Sequence, residues 1–159
     1  MKGNDQLLEH LNQLLADELT AINQYMVHAE MCENWGYDKL SKAVKSQAMD
    51  EMHHAEWLIE RILFLEGLPV VSQLNAIHIG RDVPQIVAGD MDAELEGIRH
   101  YNETITLSRQ VEDQGTVDLL TKILKMEEGH VDWAEAQRDQ IEQMGLPQYL
   151  VTLSSGPAA

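Results

Sequence analysis

The amino-acid sequence predicts an all-α fold: a four-helix bundle with one long crossover in the middle and a short fifth helix near the C-terminal end. Three observations predict it. Apolar residues recur at three- and four-residue steps through four long segments, which is helical spacing. Only four prolines and ten glycines occur in 159 residues, and they cluster between those segments. The connections run short, long, short. Short ones join antiparallel neighbours, whereas cytokine-type bundles need two long crossovers.

The first helix is expected from about Asp5 to Asn34, with Leu8, Leu11, Leu15, Ile22, Tyr25 and Ala29 on its inner face and Gly36 ending it. Asp38 can cap a second helix, from about Lys39 to Glu66, whose stripe is Leu40, Val44, Leu58, Ile62 and Leu65. Gly67-Leu68-Pro69 stops it. Residues 67 to 82 lack helical periodicity and form the crossover. Asp82, Val83, Pro84 and Gln85 read as a capped start, since Pro is tolerated in a first turn, and the third helix runs to about Gln110. Asp113 to Thr116 reads as a loop with Thr116 the cap, and the fourth helix then runs to about Met144, where Gly145 fits a C-terminal cap. Gln148 to Leu153 suits a short fifth helix. Residues 1–153 are expected to form one domain and 154–159 a flexible tail.

One domain is what 159 residues ordinarily make. The net charge of −16, from 27 acidic and 11 basic residues, has the wrong sign for a nucleic-acid surface. An acidic surface repels phosphate and anionic lipid and attracts cations. The opening MKGNDQLLEH lacks the apolar run of a secretory signal, and no window approaches the roughly 18 apolar residues of a membrane span. The lone Cys32 allows no internal disulfide and no CxxC pair. A cytoplasmic protein is the simplest expectation.

The candidate site lies where polar residues interrupt the core stripes. Helical residues seven apart lie nearly on one line. The second helix carries the series Val44, Glu51, Leu58, Leu65 and, one turn on, Gln47, His54, Arg61. The fourth carries Leu120, Glu127, Ala134, Ile141 and Ile123, His130, Gln137, Met144. Glu18 shares a line with Leu11, Tyr25 and Cys32, and Glu94 with Val87, Tyr101 and Ser108. Each long helix thus aims a glutamate at the core, and two add a histidine three residues later. Four buried carboxylates repel one another and persist only protonated or bound to cations. One Glu-x-x-His pair is a weak signal, but Glu18 to Glu51 and Glu94 to Glu127 are both separations of 33 residues, so two halves repeat one geometry. The set matches the known pattern of di-iron carboxylate bundles: a Glu from each of two helices and Glu-x-x-His from the other two. Four carboxylates balance two divalent cations, and oxygen and imidazole donors suit iron, manganese or zinc rather than copper(I).

The strings MKG, LTAINQY around Tyr25, DEMHHAE around Glu51, ERILFLEGLP from Glu60 to Pro69, and EEGHVDW from Glu127 to Trp133 resemble the bacterioferritins, haem-binding ferritins, from Met1 to about Leu150. The resemblance implies a ferritin-like bundle and a ferroxidase that oxidises Fe2+ with O2 or H2O2 and stores the product as a ferric mineral. It assigns the iron ligands to Glu18, Glu51, His54, Glu94, Glu127 and His130, with Glu51 and Glu127 bridging. Glu18 and His54 complete one iron, and Glu94 and His130 the other. Tyr25 then lies beside the centre, as an electron donor in O2 chemistry or as a core tyrosine bonded to a ligand. Met52 matches the ligand that holds haem b between two subunits, with Met49 and Met31 near the same interface.

The resemblance further implies a homo-oligomeric shell of 24 subunits, with a second subunit type an open alternative. The fifth helix would line a fourfold axis, and Asn34, Glu66, Asp132 and Asp139 match positions at pores between subunits. A ferredoxin is the implied electron donor for iron release through haem. One departure stands out. The family often has a histidine where this chain has Ser46, within an interior iron site that includes Asp50. Asp50 and His53 form an acid-x-x-His pair that is either a replacement iron site or a solvated face. Other di-metal enzymes, such as manganese catalases, share the ligand chemistry without the shell. A rubrerythrin-like peroxidase with a cysteine-ligated iron is excluded by the single cysteine.

Overall fold

The computed structural model describes residues 1–156, and among them five helices and no strands occur. They are α1 (Asp5–Asn34), α2 (Asp38–Phe64), α3 (Val83–Gln110), α4 (Gln114–Met144) and α5 (Leu146–Leu153). Helix α1 packs mainly on α2 and α3 mainly on α4, while α1–α3 and α2–α4 contacts join the two hairpins into one bundle. No helix among the described residues is long and apolar enough to cross a membrane.

The helix ends correct some of the expected caps. Asp38 is the first residue of α2, and its carboxylate instead accepts a hydrogen bond from the Ser155 backbone N–H at 2.8 Å and another from the Ser155 hydroxyl. That contact ties Ser155 to the start of α2; the expected tail otherwise includes residues 157–159, which lie outside the described residues. Thr116 does not cap α4. Asp113 does, accepting from Thr116 N–H at 3.0 Å and from the Thr116 hydroxyl at 2.7 Å, so the helix begins a few residues earlier. A carboxylate three residues ahead satisfies an orphan N–H better than a hydroxyl within the first turn. Helix α5 starts at Leu146, with Pro147 in its first turn, where no N–H is missed. Gly36 follows α1 at φ 84°, a left-handed conformation that glycine adopts without steric cost.

The core is split. One apolar cluster gathers Leu11, Leu15, Leu58, Ile62, Ile105 and Leu120, and a second gathers Tyr25, Leu40, Val44, Ile86, Val87 and Tyr149. The six-residue polar layer of glutamates and histidines is buried in the same bundle. Tyr149 seats α5 by donating to Gln137 Oε1 at 2.8 Å.

The crossover has no helix of its own, so its backbone amides need other partners. Helix α1 supplies them from a polar stripe spaced by four or eight residues: Asn12 accepts from Val70 N–H (2.8 Å), Thr20 from Asn75 (2.9 Å), Gln24 from His78 (3.1 Å) and His28 from Gly80 (2.9 Å). Residues four apart share a helix face, so the crossover runs along α1. At Gly80 a Cβ would lie 2.6 Å from the Ile86 nitrogen, so only glycine lets the strap reach α3.

Candidate metal centre

Each helix of the bundle brings one glutamate to the polar layer, and all six expected residues converge there. Glu18, Glu51, Glu94 and Glu127 are at most 5% exposed, and His54 and His130 at most 8%. They form two overlapping groups whose donor atoms lie within 4.8 Å of one another: Glu18, Glu51, His54 and Glu127, and Glu51, Glu94, Glu127 and His130. Glu51 and Glu127 belong to both. Such an arrangement can hold two cations with two shared carboxylates and two private ligands each.

Both histidines point Nδ1 inward. His54 Nδ1 lies 3.1 Å from Glu127, 3.4 Å from Glu51 and 3.6 Å from Glu18. His130 Nδ1 lies 2.9 Å from Glu51 and 3.2 Å from both Glu94 and Glu127. One ring nitrogen cannot serve so many oxygens. Glu51 Oε1 and Glu127 Oε2 are buried without accepting any hydrogen bond, although His130 Nδ1 stands near both, because its contact is directed at Glu94. Orphaned buried carboxylate oxygens are expensive, and a divalent cation is a partner that could satisfy both.

The electrostatics agree. Burial raises the Glu18 carboxyl, and repulsion from Glu127 adds to it. Burial, then repulsion from Glu18 and Glu94, pushes Glu51 well above the carboxylate range, and burial with repulsion from Glu127 does the same to Glu94. Burial opposes ionisation of Glu127 too, but the close approach of His130 and His54 outweighs it and holds this carboxyl well below its usual value. Burial lowers His54, yet its bond to Glu127 and its contact with Glu18 win and raise it to about 10; His130 rises likewise through Glu127, Glu51 and Glu94. Without cations the cluster therefore holds protons, and cation binding displaces them.

Tyr25 is fully buried and donates to Glu94 Oε1 at 2.5 Å. Tyr101, which no motif singled out as a site residue, donates to Glu18. A signal for it existed. Glu18 and Glu94, Tyr25 and Tyr101, Glu51 and Glu127, and His54 and His130 are each 76 residues apart, so Tyr101 is the counterpart of Tyr25. A cavity of about 890 Å³ between α1 and α3 leads from Asp17, Glu96, His100 and Glu103 down to Glu18, Glu51, Glu94 and Glu127.

Other expected residues lie elsewhere. Met52 faces outward at 41% exposure, with Met49 at 47% on the same helix. Asn34, Glu66 and Asp132 are exposed and Asp139 half-buried. Asp50 and His53 do not come together: His53 stacks on Trp57 at the surface, while Asp50 turns inward to His130 Nε2 at 3.0 Å. Adjacent turns of one helix present them to different neighbours.

Residues 8–144 match the model of the ferritin family, a ferritin-like domain. The chain is 42% identical over 151 residues to a bacterial ferritin of Synechocystis sp., covering 94% of this chain and 97% of that protein. It is 39% identical over 153 residues to a bacterioferritin of Streptomyces coelicolor, with 96% and 92% covered, and 36% identical over 157 residues to one of Mycolicibacterium paratuberculosis, with 99% of both covered. With a split core, a single long crossover and two Glu-x-x-His halves, this chain belongs to the ferritin-like family, among the bacterioferritins.

Proposed function

We propose that this protein is an iron-storage ferroxidase. Two Fe2+ enter the polar layer as substrate, are oxidised, and pass on to a ferric mineral. The observation that carries the reading is the pair of shared glutamates, Glu51 and Glu127, each with an orphaned buried oxygen between two four-ligand groups. In this reading Glu18 and His54 complete one cation site, and Glu94 and His130 the other. Two irons supply two electrons, which with two protons reduce one O2 to H2O2; H2O2 is itself a two-electron oxidant for the same pair. Four carboxylates neutralise two divalent ions, so the bundle interior carries little net charge when loaded. The protons that the glutamates and histidines hold without cations leave on loading. Tyr25, bonded to Glu94, orients that ligand in this reading.

Haem b is the further cofactor proposed. Its fit rests on Met52, an exposed thioether, with Met49 exposed on the same helix and Met31 half-buried on α1. Two copies of Met52 across a twofold axis would hold the haem iron, and the group would carry electrons inward for mineral release, from a ferredoxin. The remaining proposals are a 24-subunit shell in the cytoplasm, homomeric or with a second subunit type, α5 at a fourfold axis, and Asn34, Glu66, Asp132 and Asp139 at its pores.

The test adds two Fe2+ per subunit to the metal-free protein without oxygen, admits O2, and follows ultraviolet absorbance of the ferric product. A fast phase saturating near two irons, absent in Glu18→Ala and Glu127→Ala, supports the ferroxidase. An intact shell with no fast phase overturns it in favour of a storage partner or a zinc site.

A further inference from the structure

The two halves of the centre are alike in every ligand but differ in what backs the histidines. His130 Nε2 lies 3.0 Å from Asp50 Oδ2, and His54 Nε2 lies 3.4 Å from Met126 Sδ. Each backing residue precedes a shared glutamate on the opposite helix: Asp50 precedes Glu51 on α2, and Met126 precedes Glu127 on α4. Asp50 and Met126 are also 76 residues apart, the spacing that relates every ligand pair. They occupy one position of the internal repeat, filled once by a carboxylate and once by a thioether.

The difference matters because both rings face the centre through Nδ1. A histidine that binds a cation through Nδ1 carries its hydrogen on Nε2 and donates it outward. A carboxylate acceptor pulls on that hydrogen, makes the inward nitrogen more electron-rich and fixes the ring's orientation. A thioether sulfur accepts weakly and carries no charge.

From this geometry we infer that the two cation sites are unequal, the His130 site binding more tightly than the His54 site, with Asp50 the positioning residue that sets the difference. The inference rests on the proposed two-cation centre. It gives Asp50 a role apart from any interior iron site, and it explains how an aspartate can be useful there with Ser46 in place of a histidine. Loading is then ordered: the first cation settles with Glu94 and His130, and the second, with Glu18 and His54, is the one that exchanges readily.

The test is Zn2+ titration of the assembled, chelator-stripped protein by calorimetry, with Co2+ visible absorption as a second readout; His54→Ala and His130→Ala assign the steps. The expected wild-type result is two steps differing by about 10- to 100-fold in affinity, the range for a lost carboxylate behind a ligand histidine. Asp50→Asn should weaken the tighter step alone and shift the Co2+ spectrum of that site, and Asp50→Glu should restore both. Met126→Asp should tighten the weaker step, while Met126→Leu leaves it nearly unchanged. Asp50 is over a third exposed on its side chain, so its variants should fold. Two equal wild-type steps, or an Asp50→Asn effect spread over both sites, would overturn the inference and leave the two-cation centre standing. No binding at all would overturn both.

Discussion

Tyr25 of α1 donates to Glu94 of α3, and Tyr101 of α3 returns the same bond to Glu18 of α1. The two phenols cross-brace the helices that carry the unshared glutamates. Burial first, and then the charge of Glu94 for Tyr25 or Glu18 for Tyr101, raises both phenols well above their usual range, so both stay protonated donors. Each bond holds the orientation of one unshared carboxylate.

Replacing either phenol by phenylalanine should therefore weaken one cation site and not the other. A hydrogen bond to a charged group contributes about 1.5–3 kcal/mol, so a loss of about tenfold or more in Zn2+ affinity is expected. Tyr25→Phe should act on the Glu94–His130 step and Tyr101→Phe on the Glu18–His54 step. Calorimetric titration separates them; equal effects on both steps would remove the bracing role.

Shared and unshared glutamates should differ in stoichiometry. Glu51→Ala or Glu127→Ala removes a ligand of both groups, and Glu18→Ala or Glu94→Ala a ligand of one. Bound Zn2+ per subunit, measured after dialysis, should fall towards none in the first pair and towards one in the second. Retention of two cations by Glu127→Ala would contradict the sharing.

The metal-free protein should lose stability as pH rises. Glu51 and Glu94 are raised in the folded state, so folding favours their protonated forms, and that contribution fades above their unfolded value of 4.5. His54, raised from 6.5 to about 10, contributes fully below 6.5 and loses its contribution as pH climbs through 10. Glu127 is lowered, so its contribution is present above 4.5 and lost as pH falls below that. Urea midpoints of the stripped protein should thus peak between about 4.5 and 6.5 and decline towards pH 9. Saturating Zn2+ should reverse the decline, because displaced protons make cation binding stronger at higher pH.

His28 should act as the crossover's anchor. Its Nε2 accepts from Gly80 N–H, which leaves Nδ1 to donate to Asp90 at 2.8 Å, and Gln24 donates to the same Asp90 oxygen. His28→Ala leaves buried partners unpaired, at a cost of about 1–3 kcal/mol. Faster hydrogen exchange at Gly80, beyond the change at mid-helix amides, is the local signature to measure. Unchanged exchange there would show that the strap is held elsewhere.

Met52→Leu should abolish haem uptake without changing the cation stoichiometry, since Met52 faces away from the polar layer. The visible absorbance of haem against bound Zn2+ reads both in one sample. A variant that still takes up haem with an unchanged spectrum would exclude Met52 as its ligand.

The sequence by itself determined the helices, because a period of 3.6 residues writes the buried face of each helix into the chain. Leu11, Glu18 and Tyr25 share one line whatever lies opposite. It also determined the six polar residues of the central layer, since carboxylates on apolar stripes stand out against the periodicity, and the repeated 33-residue spacing told them apart from solvated faces. Caps were less legible: Asp113 and Thr116 both suit an N-terminus, and only the local backbone chooses between them. What lies behind the two buried histidines was decided by the packing of the helices. Asp50 and His53 are three residues apart on one helix, yet Asp50 meets His130 of α4 while His53 stays against Trp57 of its own helix. Met126 behind His54 and Tyr101 beside Glu18 are likewise contacts between helices. Helical period fixes which face a side chain occupies, and the packing of a second helix fixes what it meets there.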